Sequence, residues 1–151
     1  MKWNPATPVK SNLNPRLDVH SYKSDLAFDF DNGDLIIANG DLKTVSGLEN
    51  FIQKVKKVLL TQKTATIDYG LNDFLPDTTN ENRFKNDCQL LANELVSHEF
   101  SDSTPNDPNG LGYSIESVVS IEYLKVENTL SIKMQVTGED NLQTIGIKCF
   151  D

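Results

Sequence analysis

Basic residues are scarce in this chain of 151 residues. Lys and Arg number 14 against 22 Asp and Glu, for a formal net charge of −8. That balance argues against a general nucleic-acid binder, which needs a concentrated basic surface. It leaves room for a local basic patch. Long apolar runs are missing as well: nothing approaches the roughly 18 consecutive apolar residues of a membrane span, so no membrane partner is expected. Residues 1–10, MKWNPATPVK, hold no apolar signal core, and export by a cleaved peptide is not expected. Cysteine is limited to Cys88 and Cys149, with no Cys or His nearby at zinc-finger spacing. Both read as buried free thiols of a reducing compartment rather than as a disulfide. Nucleotide and hydrolase signatures are absent too: there is no Walker A loop, no G-x-G-x-x-G and no G-x-S-x-G.

What remains is an ordinary globular composition, 38% apolar and 24% charged, enough for one domain with a sizeable core. Residues 1–24 read as an extended arm, broken by Pro5, Pro8 and Pro15. Trp3, Leu13, Leu17 and Val19 could cover this chain's own core or reach a neighbouring subunit. Residues 25–151 read as a single domain.

From Asp25 the pattern alternates. Leu26, Phe28 and Phe30 face one way, with Asp25, Ala27, Asp29 and Asp31 facing the other, the mark of a half-buried strand. The tetrapeptide Asn-Gly-Asp-Leu then occurs twice, at 32–35 and 39–42. Asn-Gly best supplies the two positive φ angles of a type I′ hairpin turn. Strands at 25–31, 34–38 and 41–45 would form a small meander. Ser46-Gly47-Leu48-Glu49 matches a helix capping box. Leu48, Phe51, Ile52, Val55, Val58 and Leu59 follow within an arc of roughly 120°. Lys54, Lys56 and Lys57 lie outside that arc, either as a solvated face or as a basic face for an acidic partner.

Residues 61–79 lack a sustained period and read as a structured connection, with a short extended stretch at 65–69. A second helix is expected from Thr78 or Asn80, with Thr78 to Glu81 as its capping box. Phe84, Cys88, Leu91 and Leu95 form its apolar stripe, which should fade by Phe100. Val119, Ile121 and Tyr123 alternate, as do Leu130, Ile132, Met134 and Val136, around a turn at Glu127-Asn128. A last strand runs through Ile145, Ile147 and Cys149 and is expected at a sheet edge. The predicted class is α+β: a small antiparallel sheet from the N-terminal meander and the C-terminal strands, with two main helices on one face.

The acidic 29–42 segment could suggest a cation loop, but its spacing fails. Counting from Asp29, an EF-hand would need a ligand at position 5 and Gly at 6, and here Gly33 is fifth and Asp34 sixth. Position 12 is Gly40. Glu49, Asp68, Asp73, Asp77, Glu81, Glu94 and Glu99 could in principle supply a carboxylate pair, but no motif singles out two of them. His20 and His98 are far apart in sequence. No catalytic residue, metal site or cofactor is expected, and the residues read as a structural or binding module.

Residues 28–71, FDFDNGDLIIANGDLKTVSGLENFIQKVKKVLLTQKTATIDYGL, resemble a known family. They are similar to the baseplate wedge, or sheath-initiator, proteins of contractile bacteriophage tails, whose members often carry a lysozyme-like label. The resembling features are an alternating strand, an N-G turn and a helix entry through Val45 and Gly47. Gln53 then sits mid-helix, Leu59-Leu60-Thr61 closes it, and Tyr69-Gly70 follows. The family's Gly-Glu after Leu-Thr, and its Pro before the aromatic-Gly pair, are missing here, which leaves the mode of wedge contact open.

The resemblance implies a non-enzymatic subunit repeated in a ring around the tail tube, assembled in the host cytoplasm and carried in the virion. Its partners would be other wedge proteins, the sheath protein and the tube. The strand at Thr144, Ile145, Gly146, Ile147, Lys148, Cys149 and Phe150 would be offered to sheath subunits by strand addition. Trp3, Lys54, Lys57, Asp68, Tyr69 and Gly70 would make ring contacts. Removal of residues 143–151 is expected to leave a folded domain. The alternative reading is a peptidoglycan-degrading tail enzyme, which draws on the family label and the many carboxylates.

Overall fold

A computed structural model describes residues 1–5, 9–10, 25–45, 47–66, 70–98, 114–136 and 139–149, with the backbone alone at 9, 10 and 25. Chain order begins with two short strands, β1 (Lys2–Trp3) and β2 (Val9–Lys10). Six more follow in pairs: β3 (Asp25–Leu26), β4 (Phe28–Asp29), β5 (Asp34–Leu35), β6 (Ile37–Ala38), β7 (Asp41–Leu42) and β8 (Thr44–Val45). Helix α1 covers Gly47–Leu60 and α2 covers Glu81–Ser97, with a 3-10 turn at Asn72–Phe74 between them. The long strands come last: β9 (Ile115–Leu124), β10 (Thr129–Val136) and β11 (Gln143–Lys148).

The main sheet is antiparallel in the order β1-β9-β10-β11, with β2 also on the outer side of β9. Residues 2–3 and 9–10 of the expected arm are therefore strands of the sheet, set against 121–122 and 117–118. Both helices pack on one face, α1 over β11 and α2 over β9, β1 and β2. One core lies between the layers. Phe51, Val55, Val58 and Leu59 enter it from α1; Phe84, Cys88, Leu91 and Leu95 enter from α2. The sheet contributes Ile121, Leu130, Ile132, Met134, Ile145 and Ile147. The α+β class and both helical stripes are as the periodicity predicted.

Three local expectations change. Strand β9 carries two register shifts against β10: Lys133 faces Ser120 but Met134 faces Val118, and Gln135 faces Ser117 but Val136 faces Ile115. Val119 and Glu116 are the extra residues, and each bulge resets the alternation. Val118 and Ile121 are thus both fully buried while Val119 is not, so the simple Val119-Ile121-Tyr123 alternation does not hold. Helix α2 is capped by Asn80 rather than Thr78. The Asn80 carboxamide oxygen accepts from the amides of Asn82 (3.1 Å) and Arg83 (3.2 Å), which places Glu81 at the first helical position. Residue 46, the expected cap of α1, lies outside the described residues.

The expected meander is a three-legged cluster instead. Ladders β3–β8, β4–β5 and β6–β7 are each two residues long. They meet at a cyclic junction: Ala27 N donates to Lys43 O, Lys43 N to Ile36 O, and Ile36 N to Ala27 O, at 2.8, 2.8 and 3.1 Å. Ala27 is buried at this hub, with Leu26 exposed, the reverse of the expected facing. The two Asn-Gly copies also differ. Asn39 (φ 54°) and Gly40 (φ 80°) form the expected two-residue turn with both angles positive. At the first copy Gly33 has φ 71° while Asn32 stays negative, and the loop spans 30–33. There Gly33 N donates to Asp29 O at 2.8 Å.

The return from α1 explains Gly70. Helix C-termini leave carbonyls without partners. Here Thr61 Oγ1 donates to Lys57 O (2.6 Å), Leu71 N to Val58 O (2.8 Å) and Asn72 Nδ2 to Leu59 O (3.2 Å). To reach them the chain passes against Thr61 at Gly70, which has φ 128° and is buried. A Cβ there would collide with the Thr61 carbonyl. The expected extended stretch is a bend at 65–66, and residues 67–69 lie outside the described ones.

Candidate functional site

Among the described residues the sheet leaves one side of β11 without a neighbouring strand. Strand β10 occupies its inner side in unbroken register, from Thr129 opposite Lys148 to Met134 opposite Gln143. Among the described residues none pairs with its outer side. Cys149 N donates to Asn128 O at 2.9 Å, so the inward bonds recur at every second residue from there: Ile147, Ile145 and Gln143. The backbone groups of Thr144, Gly146 and Lys148 consequently point outward. Side chains follow the same alternation, with Ile145 and Ile147 buried under α1 and Thr144, Gly146 and Lys148 exposed.

The end of this strand is clamped. Asn128, in the left-handed region at φ 50°, donates from Nδ2 to Cys149 O at 2.5 Å. Its own Oδ1 accepts from the Tyr123 hydroxyl at 2.7 Å. Turn chemistry between β9 and β10 thereby holds β11 in place one strand away.

Beside the open edge lies a groove of about 250 Å³, between Gly146–Lys148, the β4 loop and the end of α1. Phe28, Phe30, Ile36 and Leu60 give it apolar walls, and Asp29, Asp31, Lys56 and Lys148 line it with two charges of each sign. Phe28 and Phe30 meet edge to face with centroids 5.0 Å apart. Lys56 Nζ stands 5.7 Å over the Phe30 ring, and Lys148 Nζ lies 3.7 Å from Asp31. The loop that carries Phe30 and Asp31 is wound around Asp29. Its Oδ1 accepts from the amides of Asp31 (3.0 Å) and Asn32 (3.2 Å), and its Oδ2 from Asn32 Nδ2 (2.7 Å). The Asn32 side chain, above all, holds the Asp29 carboxyl below its ordinary range.

Of the residues expected in strand addition, Thr144 to Cys149 lie in or beside β11, and Phe150 is outside the described residues. Ile145 and Ile147 need correction: their side chains belong to this chain's core, at 1% and 2% exposure, so only the neighbouring outward residues face an added strand. The expected dispensability of residues 143–151 is corrected with them. Each buried isoleucine contributes about 1.5–3 kcal/mol, a large part of typical domain stability.

Among the expected ring contacts, Trp3 is 6% exposed and packs in the core, opposite Ile121, so it is not offered to a neighbour. Gly70 is buried against Thr61 and acts in the turn described above. Lys54 and Lys57 are half-buried on α1, and Asp68 and Tyr69 lie outside the described residues. Periodicity missed the groove residues because alternation at Phe28 and Phe30 looks alike for a core and for a groove. Lys56 read only as part of a charged helix face.

The carboxyl of Asp77, bonded by the Thr79 hydroxyl and amide, is held below its ordinary range, as Asp29 is. That is opposite to the direction a general acid requires. Among the described residues no three of His, Cys, Asp and Glu converge as a metal-ion group, and no helix is long and apolar enough to cross a membrane. Comparison with known families, with curated proteins and with solved structures found no match for this chain.

Proposed function

We propose that this chain is a non-enzymatic subunit of a contractile-tail baseplate, and that β11 initiates sheath assembly by pairing with a strand of a sheath subunit. One observation carries the reading: β11 is a regular, clamped strand whose outward backbone groups at Thr144, Gly146 and Lys148 are unpaired among the described residues. An edge of that kind templates another chain's strand. The resemblance over residues 28–71 supplies the biological setting. Two of its features have structural work to do: Gln53 bonds to the strand backbone at Phe28, and Gly70 lets the chain close the end of α1. On this reading the protein stands in a ring with other wedge proteins around the tail tube, within the virion.

The test is Thr144→Pro. Proline removes an outward amide and adds a ring on the docking side, while the inward bonds of Gln143, Ile145 and Ile147 are kept. The variant should fold as the parent does and enter baseplates, and those baseplates should carry no sheath. Tails of normal length built with folded Thr144→Pro protein would overturn the proposal.

A further inference from the structure

An open strand edge binds extended chains through backbone bonds, which give affinity without much choice; side-chain pockets give the choice. The groove beside β11 has the dimensions of such a pocket. Its volume of about 250 Å³ falls below the roughly 300–1,000 Å³ of small-molecule sites and suits one large side chain. The Phe28–Phe30 pair is left half-buried beside it, aromatic surface that the chain's own core does not cover.

Strand geometry connects edge and groove. Directly opposed residues of an antiparallel pair project to the same face of the sheet. Ile147 projects toward α1, on the face where Leu60 and Phe28 wall the groove. A residue of an added strand lying opposite Ile147 projects to that same face, and so into the groove.

Charge narrows the occupant further. The chain carries −8 overall, while at this groove Lys56 and Lys148 balance Asp29 and Asp31. The Asp29 carboxylate is already bonded by the Asp31 and Asn32 amides and the Asn32 side chain. Asp31 meets Lys148 with the two side chains 67% and 55% exposed, a solvent-screened pairing of the weak kind. Lys56 over Phe30, at 5.7 Å from the ring centroid, is a contact of similarly modest strength. Both cations can turn to a carboxylate brought by a partner at little cost.

We propose that the groove selects an acidic extended segment of another polypeptide. The segment pairs with Thr144, Gly146 and Lys148 and seats a large apolar side chain opposite Ile147, among Phe28, Phe30, Ile36 and Leu60. An Asp or Glu two residues from that anchor, and so on the same face, meets Lys56. The proposal rests on the strand-addition reading and adds the recognition rule to it.

The experiment uses an immobilised library of short peptides, extended by alternating Thr and Val, with the remaining positions randomised. Full-length protein, Thr144→Pro and Lys56→Glu are each passed over it. The expected result is enrichment of peptides with a large apolar residue two positions from an acid. Their binding should be lost with Thr144→Pro and should fall roughly tenfold with Lys56→Glu. Exchanging the peptide's acid for Lys should restore binding to Lys56→Glu. If the enriched peptides lack that pair, or bind Lys56→Glu as well as the parent while still losing Thr144→Pro, the groove rule is wrong and strand addition stands. Enriched peptides indifferent to Thr144→Pro would overturn strand addition itself, and the groove rule with it.

Discussion

The carboxamide of Gln53 in α1 takes the place of a neighbouring strand for Phe28. Its Oε1 accepts from the Phe28 amide at 2.8 Å, and its Nε2 donates to the carbonyl of Leu26 at 2.8 Å. One side chain, 7% exposed, thereby anchors the three-legged cluster to the helix and fixes where Phe28 and Phe30 stand beside the groove.

Gln53→Leu keeps the bulk and removes both bonds. A partly buried amide that loses its acceptor costs about 1–3 kcal/mol. Urea denaturation should show a loss of roughly 2 kcal/mol. Hydrogen exchange at the Phe28 amide should accelerate more than at the core amides of α2. Equal acceleration everywhere would mean that Gln53 supports the whole fold and not the cluster in particular.

Gly70 and Gly40 both have positive φ, but for different reasons. A Cβ at Gly40 meets nothing within 4 Å, so Gly40→Ala pays only the left-handed backbone strain, about 1–2 kcal/mol. At Gly70 the same atom would lie 2.8 Å from the Thr61 carbonyl carbon and closer still to its oxygen, so the turn must open. Gly70→Ala should therefore cost more, about 2–5 kcal/mol, from strain and overpacking together. Denaturation of the two variants side by side checks the order.

Asp29 ties its loop to pH. Its folded pKa lies below the ordinary 3.8, first through the Asn32 side chain. The carboxylate form is thus favoured by folding, so its contribution is complete above the ordinary value and is lost as pH falls through the depressed one. An NMR titration of the Asp29 carboxyl carbon should show a midpoint below 3.8. Asn32→Ala should move that midpoint upward, since it removes the largest cause.

The two thiols should differ sharply in reactivity. Cys88 has no exposed surface, and burial pushes its thiol up to about 12. Cys149 is half-buried at the end of β11. A thiol reagent applied to the native protein should modify Cys149 first and reach Cys88 only on unfolding. Mass spectrometry of digested, partly labelled protein gives the order.

Local pattern decided the scaffold. The stripes at Phe51, Val55, Val58 and Leu59, and at Phe84, Cys88, Leu91 and Leu95, follow from helical spacing, and all eight side chains are in the core. Alternation from Leu130 to Val136 likewise marked the inward face of β10. These signals repeat within a few residues, so they are legible without knowing what lies across the core. The last strand was legible in the same way, while its place at the edge of the described sheet is set by the order of the strands.

Only the tertiary structure decided the rest, because it depends on residues distant in sequence. Identical Asn-Gly-Asp-Leu segments take different turns, since Asp29 winds the first loop while the second joins adjacent residues of one ladder. Trp3 is a core residue because β9 has an edge for it to cover, and Gly70 is a glycine because Thr61 stands against it. The groove exists only where the β4 loop, α1 and β11 converge. The chain's own pattern determines which faces are apolar; the packing of those faces determines which backbone edge, and which few lysines and phenylalanines, remain for a partner.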